Sequence, residues 1–250
     1  MISSKEIFEK WQGITAGKCG LKPLKCFILA VMAGMFIGFG GMGATLIQSS
    51  AQMGLNKLLG ASVFPVGLMM VVMAGGELFT GNCLMVGQGL CGRAKWAGIL
   101  KNLLVAYIGN MLGAFLVSVI AACGGVLTGY GDTTAQLAVT IAQNKVKLSF
   151  MDALLKGIGC NVLVCAGVWM ASGASSAISK AALCFFPVML FVLCGLEHSI
   201  ANMYYIPAGM LAGADVSVGA YLLQNLLPVT LGNVIGGAGF AAAYCCVYRN

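Results

Sequence analysis

Charge is what this chain has least of: 8% of its 250 residues are Asp, Glu, Lys or Arg, while 60% are hydrophobic. A soluble domain carries roughly 25% charged residues. So little polar surface cannot cover a water-facing body, and the soluble globular class is excluded. Lipid is the solvent that fits, in line with a mean hydropathy of +0.94. The net charge of +7 therefore concerns loops and ends that face headgroups, and does not point to nucleic acid. Histidine is scarcer still, with His198 alone. The 11 cysteines contain no C-x-x-C pair and have one histidine to join them, so a metal or redox centre lacks ligands. Cys26, Cys83, Cys123, Cys160, Cys165, Cys184 and Cys194 lie in apolar runs and read as small buried hydrophobes. No cofactor is expected. No nucleotide-binding motif occurs, which speaks against direct coupling to ATP. The mixed-charge start has no early apolar core, so no cleavable signal peptide is expected.

What is present is a series of long apolar runs. About 20 apolar residues span a bilayer as a helix. Six candidates cover residues 26–47, 63–86, 103–127, 150–178, 181–214 and 216–248. The second contains Glu77, and the fifth contains Glu197 and His198. The last two exceed one straight crossing, so loop, tilt or a break must absorb the excess. With both termini on one side, that side holds 10 of the 14 basic residues, leaving Lys57, Lys145, Lys147 and Lys156 opposite. Basic residues favour the cytoplasm, so both termini are placed there, in a multi-pass protein of the cell membrane.

The chain also repeats itself. N-L-L, four residues, G-N, two residues and G occur from Asn102 and again from Asn225, an offset of 123. Glu77 with Asn82 matches Glu197 with Asn202, an offset of 120. Gly34 and Gly157 are 123 apart. Three segments per half is an odd number, so the second half enters the membrane inverted. The expected fold is an all-α membrane protein of six helices in two inverted three-helix repeats, 24–127 and 148–248, with broken second and fifth helices. All of 1–250 then forms a single transmembrane channel domain. In such architectures the pathway lies near the midplane at the repeat interface.

The residues at the two matched positions carry the chemistry. A charge at the bilayer centre costs about 2.5–3.5 kcal/mol on insertion scales, so Glu77 and Glu197 face protein or a cavity. Gly75, Gly76, Gly81, Thr80 and Asn82 surround the first, and Gly195, Ser199 and Asn202 the second. Glycine and short polar side chains favour non-helical backbone. Such backbone at membrane depth survives only inside protein or along a cavity. Two readings of the glutamates stand: they pin helix ends, or they line a pore. His198 is either a satisfied structural residue or a donor in the pathway. The Thr80 hydroxyl can coordinate a permeating solute. Lys145 and Lys147 are flanking charges or a positive mouth that concentrates anions. Asn102, Asn161, Asn225 and Asn233 read first as glue between helices.

The runs GGELFTGN, GCNVLVCAGVWM, GLEHSIANMYYIPAG and NLLPVTLGNVIGG resemble the formate/nitrite transporter family across all six segments. The resemblance implies an aquaporin-like fold, a pentamer, and a path for formate, nitrite or hydrosulfide through each protomer. It implies an outer apolar constriction at Phe64 and Leu68, and an interrupted loop at Leu78, Phe79 and Thr80. Leu78 and Phe191 fall near an inner constriction, with His198 as the central pore histidine. It sets Asn161 near His198, Glu197 behind it beside Lys145, and Asn233 on the last helix. The loops after the third and fifth segments look short for the family, which weakens any transfer of loop gating.

The function expected is passage of small monovalent weak-acid anions, with His198 able to assist protonation, and no enzymatic activity. Partners are the anion, the bilayer and further copies of the chain. The alternative is an aquaporin-like channel for small neutral solutes, although paired Asn-Pro-Ala boxes are absent. A thiol-dependent membrane enzyme lacks clustered ligands. A pure scaffold has no need of two matched breaks.

Overall fold

A computed structural model describes residues 1–50, 54–129 and 132–249. The chain opens with α1 (Ser4–Gly20), a helix the sequence reading did not single out. Ser3 caps it. The Ser3 hydroxyl accepts from the Glu6 N–H at 3.3 Å, and the Glu6 carboxylate accepts from the Ser3 N–H at 2.8 Å. The Ser3 hydroxyl, which also donates to the Glu6 carboxylate at 2.6 Å, and then the Ser3 N–H hold the Glu6 carboxyl below its usual pKa. α1 buries Ile7, Phe8 and Trp11 beneath the bundle, where Phe8 meets Trp169 and Tyr248.

Two long helices follow the same logic in each half. α2 (Pro23–Ser50) packs on α7 (Trp96–Cys123), and α9 (Phe150–Ser172) packs on α12 (Leu227–Tyr248). Small residues let the backbones touch. A methyl group at Gly113 would overlap the Val31 carbonyl, and one at Gly236 the Ile158 carbonyl. In lipid, close van der Waals packing of this kind replaces the hydrophobic drive between helices.

Between the long helices the chain breaks twice. α3 (Asn56–Val63) and α4 (Val66–Ala74) stop at Gly75, whose φ is +87°. Residues 76–78 are extended, then α5 (Phe79–Asn82) and α6 (Met85–Leu90) resume. In the second half α8 (Asp132–Val146) precedes α9, and α10 (Ala177–Leu193) stops before Gly195, φ +67°. Residues 196–198 are extended before α11 (Ser199–Leu211). Only glycine adopts such positive φ without strain.

Among the described residues, five helices are long and apolar enough to cross a membrane: Pro23–Ser50, Asn56–Ala74, Trp96–Cys123, Phe150–Ser172 and Ala220–Tyr248. Ala177–Leu193 is apolar but shorter, because the chain turns extended at the break. The second expected segment moves accordingly: its helical crossing ends at Ala74, and Glu77 lies in the extended link rather than inside a helix. The excess length of the last segment is taken up by a π-helical stretch, Ala220–Leu226. The loop expected before the fourth segment instead holds α8, whose 15 residues are too few to cross a membrane. It buries Ala138 and Ala142, both close against Gly209 of α11.

The cysteines divide. Cys26, Cys83, Cys160, Cys165 and Cys184 are buried as expected, while Cys123 and Cys194 are exposed. Cys91, after α6, and Cys245 of α12 are joined as a disulfide, a pairing that their spacing of 154 residues did not announce.

Candidate functional site

Each break is held by one set of side chains, used twice. In the first, the Glu77 carboxylate accepts from Lys18 Nζ at 2.7 Å, Asn82 Nδ2 at 2.7 Å and Asn102 Nδ2 at 3.1 Å. In the second, Glu197 accepts from Lys145 Nζ at 3.0 and 2.9 Å and from Asn202 Nδ2 at 2.6 Å. Asn202 also donates to Asn225 Oδ1 at 2.7 Å, as Asn82 does to Asn102 Oδ1 at 2.8 Å.

A second asparagine serves the open backbone. Asn110 Oδ1 accepts the Phe79 N–H at 2.9 Å, and its Nδ2 donates to the Glu77 carbonyl at 2.9 Å. Asn233 does the same for Ser199 N–H at 2.8 Å and the Glu197 carbonyl at 2.9 Å. Extended backbone has unpaired donors and acceptors that lipid cannot satisfy. An asparagine amide supplies one of each.

The breaks frame a line of three cavities. The first, on the α1 side, measures about 330 Å³ and is lined by Lys10, Trp11, Lys18, Glu77 and Lys180, down to Leu68 and Leu78. The opposite vestibule measures about 170 Å³ and holds Gln48, Lys57, Lys145, Glu197 and Tyr205, down to Phe64, Phe191 and His198. Between them lies a space of about 10 Å³ bounded by both sets and by Ile37, Val164 and Val188. A water needs at least that much room for its centre, with two to four polar partners. Two apolar closures therefore separate the vestibules, Leu68 with Leu78 on one side and Phe64 with Phe191 on the other.

This grouping differs from the expected one. Phe191 meets Phe64 edge-on, ring centres 5.7 Å apart, and so does not share a closure with Leu78 alone. Leu68 sits across from Leu78 rather than with Phe64 at one end, although Leu68 and Phe64 both reach the central space. Phe79 requires a correction. It packs on Tyr107, centres 4.8 Å apart, and lines none of the three cavities. Leu78 ends the extended link and faces the path, whereas Phe79 opens α5 and its side chain is set against Tyr107.

His198 joins the halves. Its Nε2 lies 2.9 Å from Thr80 Oγ1, and its Nδ1 accepts the Ala201 N–H at 3.1 Å, capping α11. With Nδ1 filled as an acceptor, a neutral imidazole carries its proton on Nε2 and donates to Thr80. The ring also lies against Phe191, centres 5.8 Å apart and planes 22° apart. Asn161 reaches the site from behind, donating to the Thr80 carbonyl at 3.2 Å and the Asn233 carbonyl at 2.6 Å. Asn161, Asn233 and Thr80 are fully buried and border none of the three cavities; the two asparagines hydrogen-bond backbone, and the Thr80 hydroxyl meets the imidazole. Lys147 borders none of the three cavities either. The sequence reading missed Lys18, Asn110 and Tyr205 as site residues. Asn110 had a signal, because the repeated G-N pairs it with Asn233. Lys18 had none, lying outside every apolar run.

The chain is similar to known proteins in sequence and in fold. The family profile described as "Formate/nitrite transporter" matches residues 5–247. The chain is 38% identical over 245 residues to a probable formate transporter of Methanothermobacter thermautotrophicus, covering 90% of this chain and 87% of that protein. It is 36% identical over 237 residues to the formate channel FocA of Escherichia coli strain K12, covering 86% and 83%. Among solved structures it resembles a pentameric formate channel with formate bound, at 32% identity and TM-score 0.81, covering 91% of this chain and 98% of that one. An aquaglyceroporin from Plasmodium falciparum is similar in fold alone, with 11% identity and TM-score 0.53 over 92% of this chain and 96% of that one.

Proposed function

Since the chain belongs to the formate/nitrite transporter family, we propose that it passes small monovalent weak-acid anions across the cell membrane. Formate is the first candidate, because the relatives and the ligand-bound structure carry that name. Nitrite and hydrosulfide share its size, charge and capacity to take a proton. We read the fold as six membrane helices in two inverted repeats, with both termini in the cytoplasm. The assembly is a homopentamer, as in the structurally similar formate channel.

One observation carries the reading: two basic vestibules are separated by two apolar closures with the Thr80–His198 pair beside the space between. A bare anion entering such a closure loses hydration with nothing to replace it. The anion is drawn into a vestibule by lysine, takes a proton from the vestibule's water, and crosses Phe64, Phe191, Leu68 and Leu78 as the neutral acid. It ionises again in the second vestibule. His198 assists as a neutral imidazole beside the closure, held by Thr80 and by its own cap of α11, and serves the solute as a donor when its Nε2–H swings from Thr80 to it. A neutral-solute channel remains the weaker alternative, favoured only by the distant fold likeness to an aquaglyceroporin.

The test is flux through purified protein in liposomes, with formate, nitrite, hydrosulfide and a chloride control, each at several pH values. Weak-acid flux well above protein-free liposomes and above chloride supports the proposal. Glycerol flux without anion flux overturns it.

A further inference from the structure

The vestibule opposite α1 contains two lysines in different electrostatic situations. Lys145 Nζ touches both oxygens of Glu197, at 3.0 and 2.9 Å, and lies 5.4 Å from the Tyr205 ring centre. At a distance such a pair acts as a dipole, because the two unit charges nearly cancel. Lys57 stands exposed on α3 and takes part in none of the ion pairs among the described residues. Its whole charge serves the mouth.

Gln48 of α2 lines the same cavity. Its side chain lies against Gly60 of α3, where an added methyl group would overlap Nε2. Glycine at that position gives the amide a place at the wall, beside the helix that bears Lys57. An ammonium and an amide N–H at one rim are suited to a small oxyanion, with the charged donor the stronger.

We propose that Lys57 and Gln48 form a capture subsite for the small monovalent anion at this mouth, ahead of the Lys145–Glu197 pair. The inference rests on the anion reading above. Lys145 holds the break, and Lys57 supplies the attraction. Surface charge of this kind acts over about 10 Å at 0.1 M salt and weakens as salt rises.

The experiment measures initial formate entry into proteoliposomes at low and high ionic strength. Lys57→Gln should lower the low-salt rate by about twofold to fivefold, as one screened charge implies, and the difference should vanish at high salt. Lys57→Arg should match the parent protein. Gln48→Leu should raise the half-saturating concentration and leave the maximal rate unchanged. A Lys57→Gln protein equal to the parent at low salt overturns the proposal. So does a loss that is the same at both salts and shared by Lys57→Arg, which would mark a structural role. Absence of formate flux in the unaltered protein is a different result and removes the anion reading itself.

Discussion

Thr80 and His198, 118 residues apart in sequence, meet at 2.9 Å between Oγ1 and Nε2. Each stands just after one of the two extended breaks or at its end, so the contact joins the halves of the chain beside the central space. Thr80→Val keeps the shape and removes the acceptor. An unpaired buried donor costs about 1–3 kcal/mol, which corresponds to roughly a tenfold fall in formate flux if it is felt at the closure. Thr80→Ser should stay close to the parent. Equal flux from the valine variant would count against the pair.

His198 is oriented by the Ala201 N–H on Nδ1, which leaves its single proton on Nε2. His198→Asn preserves a side chain able to cap α11. The variant should lose flux or selectivity while the dependence on pH keeps its direction, with faster flux as pH falls, because the substrate itself supplies the titrating group. Flux curves from pH 5 to 8 decide this. A pH dependence abolished in the folded variant would make His198 the proton source instead.

Glu197 and Lys145 bury each other, with side chains 8% and 16% exposed. Glu197→Gln leaves the ammonium without its partner, a loss of about 3–5 kcal/mol for a buried pair. The purified protein should melt earlier, and Lys145→Met in the same chain should restore part of the difference. Lys18 and Glu77 form the equivalent pair at 2.7 Å and should behave alike. Unchanged melting in both single variants would show that the pairs carry no structural weight.

Gly236 sits against the Ile158 backbone where α12 crosses α9. Gly236→Val must push the helices apart, an overpacking cost of about 1–3 kcal/mol or more. Lower yield of folded protein and an earlier melt are expected. Gly239, with nothing within 4 Å of an added methyl group, is the control.

The breaks were legible because they carry opposed signals: apolar runs interrupted by Gly75, Gly76 and Glu77, and again by Gly195 and Glu197. The repeat was legible for the same reason, since the residues that satisfy the open backbone must recur wherever it opens. What the sequence hid depends on direction and distance. Phe79 looks as suited to the path as Leu78, and only the passage from the extended link into α5 sets it against Tyr107. Phe191 joins Phe64 because α10 and the α3–α4 junction approach in space, which spacing along the chain does not encode. Lys18 lies in an amphipathic stretch of modest polarity, and its place under Glu77 depends on α1 folding beneath the bundle. α8 is hidden in the sequence because its buried face is Thr134, Ala138 and Ala142, small residues that give little periodic contrast.

Proton movement with formate tests the central claim most directly. Proteoliposomes loaded with a pH-sensitive dye are given an inward formate gradient, with protein-free liposomes as the reference. Crossing as the neutral acid acidifies the lumen at a protein-dependent rate that valinomycin and potassium leave unchanged. Formate entry that depends on valinomycin, with no acidification of the lumen, would mean that the bare anion crosses and would contradict the account.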